Sequence, residues 1–186
     1  MTRTAIPNFT TGQIITAAFA NAYFRDNEAE HWNQISALSA AVNTKYVAVV
    51  SMDAVQLISS GVETNVLWSK NDYVDPSSMH SISVNKERLI APVIGVYLIT
   101  LFSSFEYNAN GNRWAAIRNQ NGTTLCHMGG ITNVNDGSFL SLSVITLLNA
   151  NDYVYASVSQ NSGVALGFGD ISGYHPSFSM FCLKAY

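Results

Sequence analysis

Charge is scarce in this 186-residue chain. Asp, Glu, Lys and Arg together make up 11% of it, against about 25% in a typical soluble domain. The little charge present leans acidic, with a formal net of −3 and a pI near 5.7, and no basic run occurs. A nucleic-acid partner is therefore not expected, because such binders carry a clustered positive footprint. Long apolar runs are also missing. No stretch approaches about 18 consecutive apolar residues, so no membrane-spanning helix is expected. The N-terminus, MTRTAIPNFTTG, has no apolar signal-peptide core. Cysteine is limited to Cys126 and Cys182. Two are too few for a disulfide scaffold, and both read as buried free thiols within apolar strands.

Metal and catalytic patterns are equally thin. His31, His80, His127 and His175 form no HxH or HExxH pair, and no two cysteines lie close in sequence. Cys126 and His127 are neighbours, so in a strand they point to opposite faces and cannot share one ion. Asn71, Asp72 and Asp75 offer oxygen ligands for Ca²⁺, but without the ligand order of an EF-hand they read as a solvated loop. Gly167-Phe168-Gly169-Asp170 is followed by no helix and reads as a tight loop rather than a phosphate cradle. No carboxylate pair for glycoside hydrolysis stands out. The residues predict no enzyme, no cofactor and no metal.

What is abundant is uncharged. Hydrophobic residues are 48% of the chain, and 21 Ser, 18 Asn and 12 Thr supply most of the polarity. That hydrophobicity excludes a disordered chain, which would combine little apolar content with much charge. The pattern changes near residue 45. Thr16 to Val42 contains no Gly or Pro. Thr16 can cap a helix, and Phe19, Ala22 and Tyr23 follow at helical spacing. Ile35, Leu38 and Val42 are spaced three then four, as in a coiled-coil seam, and predict oligomeric packing. A seam this short also suits a helix packed on its own domain. Polar RDNEAEH divides the segment, which reads as one long helix or two short ones broken near Asn27.

From Lys45 the apolar period becomes two, with turn signals such as NANGN, NQNG, NDG and NAND. The spacing predicts strands over 46–52, 54–59, 64–68, 79–84, 88–91, 96–107, 113–119, 123–132, 139–148, 152–160 and 177–185. Such a series with no intervening helix predicts a mainly β, antiparallel sandwich or barrel over residues 46–186, preceded by an arm and helical segment over 1–45. Two strands are apolar on both faces. The strand over 96–107 sets Tyr97, Ile99, Leu101 and Phe105 on one side and Val96, Leu98 and Phe102 on the other. The strand over 139–148 sets Leu140, Leu142, Val144 and Leu148 opposite Phe139, Ile145 and Leu147. A second apolar face predicts a second buried surface, hence another subunit, with Val96, Leu98, Phe102, Leu140, Leu142 and Val144 at the interface.

Two segments carry resemblances. TTGQIITAAFANAYFRDN, Thr10 to Asn27, resembles an N-terminal motif of tailed-bacteriophage virion proteins. The features are Thr11-Gly12, Thr16-Ala17-Ala18, Asn21, Tyr23 and Arg25-Asp26-Asn27, with Phe9 where the family often has Trp. The resemblance implies location in a virion, an anchor formed by these residues, and other virion structural proteins as partners.

The second half, from about Leu89, is similar to the jelly roll of complement globular heads and tumour necrosis factor. It does so through Ala91-Pro92, Gly95-Val96-Tyr97, Asn119-Gln120-Asn121-Gly122, the run Leu147 to Val154, and Ser177 to Phe181. Ala150-Asn151 stands where that family has Gly before Asp152, and Asn tolerates the same left-handed turn. The resemblance implies a homotrimer. Together the two imply an outward-displayed jelly roll of fibre or appendage type. The low charge and the Asn-, Ser-, Thr- and Tyr-rich loops suit host-surface glycan as a further partner, and suit a protease-resistant surface equally. Capsid decoration is the alternative, and an envelope polysaccharide hydrolase a more distant one.

Overall fold

A computed structural model describes residues 32–36, 46–131, 137–171 and 173–186. The chain divides into two units, Met1–Thr44 and Lys45–Tyr186. In the first, residues 32–36 are helical, with Trp32 and Ile35 exposed.

The second unit is built from strands β1 (Val47–Ser51), β2 (Gln56–Ile58), β3 (Thr64–Asn65), β4 (Lys70–Asp75), β5 (Arg88–Ile90) and β6 (Gly95–Phe105). They continue with β7 (Asn112–Asn119), β8 (Thr124–Ile131), β9 (Ser138–Leu148), β10 (Tyr153–Gln160), β11 (Leu166–Phe168) and β12 (Ser177–Ala185). One sheet has the order β2-β11-β6-β12-β1-β4, with β9 on the other side of β6. The second runs β3-β10-β7-β8, with β5 also paired to β10. Every strand pair is antiparallel. The expected β-sandwich is the observed fold, a jelly roll of two sheets.

Alternation decides which side chains fill the space between the sheets. On β6, Tyr97, Ile99, Leu101 and Phe105 are fully buried. They meet Ala48 and Val50 of β1, Phe178 and Met180 of β12, and Ile117, Val154 and Val158 of the facing sheet in one cluster. Trp68 stacks on Phe178 at 5.7 Å between ring centres, and Phe105 meets Phe168 edge-on at 5.2 Å. Two buried polar side chains tie loops to this core. Gln160 Nε2 donates to the carbonyls of Ile58 (2.9 Å) and Val164 (2.7 Å), while its Oε1 accepts from the Ser162 amide (2.7 Å). Arg113 donates to the carbonyls of Asn108, Asn110 and Asn112. Desolvation pulls the Arg113 pKa below its ordinary value.

Three local expectations are corrected. The strand expected over 79–84 does not form. Ser77–Met79 is a 3-10 turn, and the Ser81 hydroxyl accepts from the Ser83 and Val84 amides, both at 3.3 Å. Such local bonding competes with a sheet ladder. The loop expected around Asp72 and Asp75 is strand β4, which pairs with β1 at the sheet edge. Its polar sequence, KNDYVD, hides the alternation and suits an edge, where charge discourages pairing with another chain. Gly167-Phe168 belongs to β11, paired with β2. A Cβ on Gly167 would stand 2.9 Å from Val55 Cγ1, so glycine permits this close approach.

Candidate functional site

The outward face of the seven-stranded sheet presents an apolar row. Cross-strand register sets Val47 against Phe181, Phe181 against Leu98, and Leu98 against Ile145. The next row pairs Val96 with Leu147. Ile145 is 62% and Leu147 58% exposed. In the middle of the face, the Thr100 and Ser179 hydroxyls hydrogen-bond each other at 2.5 Å. Toward one end, Phe102 stacks on Phe139 at 6.2 Å, and Phe139 packs on Tyr174 at 4.4 Å.

Val96, Leu98 and Phe102 of the expected interface lie on this face and are half-buried. Leu140 and Leu142 do not. They are 6% and 4% exposed, point between the sheets and belong to the chain's own core. Val144 packs partly against the same core. The interface assignment of these three is corrected: the parity of β9 turns Phe139, Ser141, Ser143, Ile145 and Leu147 outward instead. Two apolar faces on one strand do not reveal which faces home, since that depends on which side the second sheet covers. Ile35 sits in the helical turn of the first unit, exposed. Leu38, Val42 and the anchor residues Phe9, Thr11, Gly12, Thr16, Asn21, Tyr23, Arg25, Asp26 and Asn27 lie outside the described residues.

The five-stranded sheet carries an open groove of about 370 Å³ on its outward face, lined by Glu63, Trp114, Arg118, Thr124, His127, Ser157 and Ser159 among others. Its polar centre is compact. Arg118 Nη2 and Nε lie 2.6 and 2.8 Å from Glu63 Oε1, and the Ser157 hydroxyl donates to the same oxygen at 2.6 Å. Arg118 Nη1 donates to Thr124 Oγ1 (2.8 Å) and to the Gly122 carbonyl (3.0 Å). The Ser157 hydroxyl foremost, then the Arg118 guanidinium, holds Glu63 below the usual carboxylate pKa, against partial desolvation. None of these residues except His127 drew attention in the sequence. The signal was the spacing Trp114, Ala116, Arg118, every second residue on one face, but its neighbours come from three other strands or loops.

The remaining sequence candidates separate. Asp72 pairs with Lys70 at 2.8 Å, while Asn71 Oδ1 faces His80 Nδ1 at 2.5 Å, so these oxygens do not converge. Among the described residues, no group of three or more His, Cys, Asp or Glu is placed to hold a metal ion. No helix among them is long and apolar enough to cross a membrane. Cys126 and Cys182 are free and half-buried rather than fully buried, each packed partly against the core. Asn151 adopts the left-handed conformation at φ 69°, and Asp152 Oδ2 accepts from the Asn149 amide at 2.8 Å.

The fold is that of complement globular heads and tumour necrosis factor. The globular domain of zebrafish complement 1qA superimposes with a TM-score of 0.58 at 12% identity, over 76% of this chain and 100% of that one. Murine APRIL gives 0.57 at 10%, over 75% and 99%. Eiger TNF from S. frugiperda gives 0.56 at 11%, over 77% and 96%. At these identities the likeness is one of fold alone. No family model and no curated protein sequence matches the chain.

Proposed function

We propose that this chain is a structural protein of a tailed-bacteriophage virion. It is a homotrimer, held to the particle by residues 1–45 and displaying its jelly roll outward as a fibre or appendage that meets the host surface. The observation that carries the assembly is the outward apolar row of Val47, Phe181, Leu98 and Ile145 on the seven-stranded sheet, in which Ile145 is exposed and the other three are half-buried. A face of this kind on a stable sandwich calls for a covering surface. A second copy of the chain supplies a matching one by symmetry. The virion placement rests on the resemblance of Thr10 to Asn27 to phage attachment segments, and a trimer agrees with the complement-head and tumour-necrosis-factor likeness.

Capsid decoration is a second reading, since a strand-rich unit of Lys45–Tyr186 displayed as a trimer would serve it equally. An envelope polysaccharide hydrolase draws no support from the groove, whose lining includes one carboxylate, Glu63, where glycoside hydrolysis uses two. The test is immunogold labelling of purified virions with antibody to the folded protein. Label on tail or appendages supports the fibre reading, and label on capsid faces or vertices supports decoration. Absence of the protein from purified particles overturns both.

A further inference from the structure

We infer that the groove on the five-stranded sheet is a binding site for a neutral saccharide, with Trp114 as its stacking platform and Glu63 as its principal acceptor. The inference deepens the display reading by giving it a ligand site, and rests on that reading for where the sugar is found.

The platform is built by a glycine. Trp114 on β7 stands opposite Gly129 on β8. A Cβ on Gly129 would lie 2.6 Å from Trp114 Nε1 and closer still to Cδ1. The five-membered ring of the indole thus occupies the space that a side chain at 129 would take. That contact fixes the ring while Trp114 remains part of the groove wall. A large, rigid aromatic surface gives contact area at little conformational cost and suits the C–H face of a pyranose ring.

The polar atoms are sorted as a sugar needs them. All three bonds to Glu63, from Arg118 Nε, Arg118 Nη2 and Ser157, converge on Oε1. Oε2 has no partner among the described residues, on a side chain 49% exposed. The Ser159 hydroxyl and the His127 ring nitrogens, also in the lining, have none among them either. The groove therefore offers unspent acceptors and donors side by side, as a ring of hydroxyls requires. Charge narrows the class further. Arg118 is the groove's lining guanidinium and is already bound to Glu63, so no unpaired Lys or Arg in the lining awaits a carboxylate, sulfate or phosphate. The volume, about 370 Å³, lies at the small end of ligand sites, and the open shape admits the end of a longer chain.

The test uses the isolated full-length protein. Binding is measured on a panel of immobilised neutral oligosaccharides of glucose, galactose, mannose and N-acetylhexosamines, with sialylated and uronate-containing glycans as a separate arm. Hits are titrated in solution by tryptophan fluorescence. The expected result is binding to at least one neutral glycan, with a fluorescence change lost in Trp114→Phe. Trp114→Ala and Glu63→Gln should each weaken it by tenfold or more, and Gly129→Val should do so by displacing the indole without touching a polar group. Melting temperature controls for folding; should Trp114→Ala fail to fold, Trp114→Tyr and Glu63→Gln carry the comparison. No binding across the neutral panel, binding confined to the acidic arm, or affinity unchanged in the folded variants would each overturn the assignment. Virion labelling is independent of all these readings, so either inference can fail alone.

Discussion

Leu98 of β6 and Ile145 of β9 stand opposite each other across the ladder, and both point away from the core. On the opposite face of the same two strands, Ile99 and Leu142 are buried to at least 96%. The sheet thus separates side chains buried in the chain's own core from outward side chains that the proposed trimer would cover. Replacing Ile145 with Lys, or Leu98 with Asp, should leave the melting temperature of the dissociated chain within a few degrees. Light scattering at micromolar concentration should then fall from three chain masses to one. Leu142→Ala should do the reverse, costing about 2–5 kcal/mol of unfolding free energy through a core cavity. A wild-type protein that already scatters as a monomer, or an Ile145→Lys variant that still trimerises, would remove this face from the assembly.

How far the sequence could lead is visible in these same strands. The double apolarity of β6 and β9 was legible, as was the inward set Tyr97, Ile99, Leu101 and Phe105, because a long strand repeats its alternation often enough to read. The inward set of β9 was not, because Leu140 and Leu142 are as apolar as Ile145 and Leu147, and only the position of the facing sheet distinguishes them. One short strand escaped for a different reason, whereas β2, β3 and β5 fall within expected strands. β11 has three residues and begins Leu166-Gly167, too few to show a period. The groove was invisible because Glu63, Arg118, His127 and Ser157 are brought together by long-range register, with Glu63 and Ser157 separated by 94 positions. By contrast, the turn at Asn151 was legible, since its chemistry is local.

His80 gives the fold a pH dependence of its own. It is 4% exposed, with Nε2 3.0 Å from the Lys86 carbonyl. Burial lowers its pKa below the ordinary value, only partly offset by the Lys86 carbonyl and by Glu87. The unfolded chain then binds this proton first, at a pH near about 6.5. Stability should therefore be complete above that value and fall as the pH drops through it, levelling once the folded form also protonates. Asp53, Glu63 and Asp72, all lowered, contribute a separate loss further down, below about pH 4. Urea midpoints measured from pH 8 to 5 should decline, and the decline should be smaller in His80→Gln. An unchanged slope in that variant would assign the effect elsewhere.

Gln160 should matter more than its place at a strand end suggests. Its amide satisfies two carbonyls and one amide hydrogen, and joins β10 to β2 and to the turn before β11. Gln160→Ala leaves the buried Ile58 carbonyl without this donor, while the Val164 carbonyl keeps the Ser162 hydroxyl at 3.1 Å. A buried group stranded in this way costs about 1–3 kcal/mol, and the lost bonds to the Val164 carbonyl and the Ser162 amide add to it. A loss of about 2–4 kcal/mol is expected by chemical denaturation, whereas Gln120→Ala, which removes an exposed bond to Asp152, should cost under about 1 kcal/mol. Equal losses in the two variants would contradict the weight placed on burial.

The last prediction concerns the two units. Every side chain of the described hydrophobic core, from Ala48 to Met180, lies after Lys45. The strand-rich unit spans Lys45–Tyr186, and a chain of this size buries enough apolar surface to fold alone. A protein beginning at Lys45 should keep a cooperative melt and the same far-ultraviolet spectrum of antiparallel sheet. It should also keep its trimer, because the row of Val47, Phe181, Leu98 and Ile145 is intact. What it should lose is attachment. Added to virions made without this protein, the full-length chain should bind and the shortened one should not, if the resemblance of Thr10 to Asn27 reflects a docking segment. Three results separate the parts. A shortened chain that cannot fold would make residues before Lys45 part of the core. One that folds as a monomer would move trimerisation to the seam of Ile35, Leu38 and Val42. One that binds virions as well as the full-length protein would place the anchor on the jelly roll itself, and the N-terminal segment would then need another role.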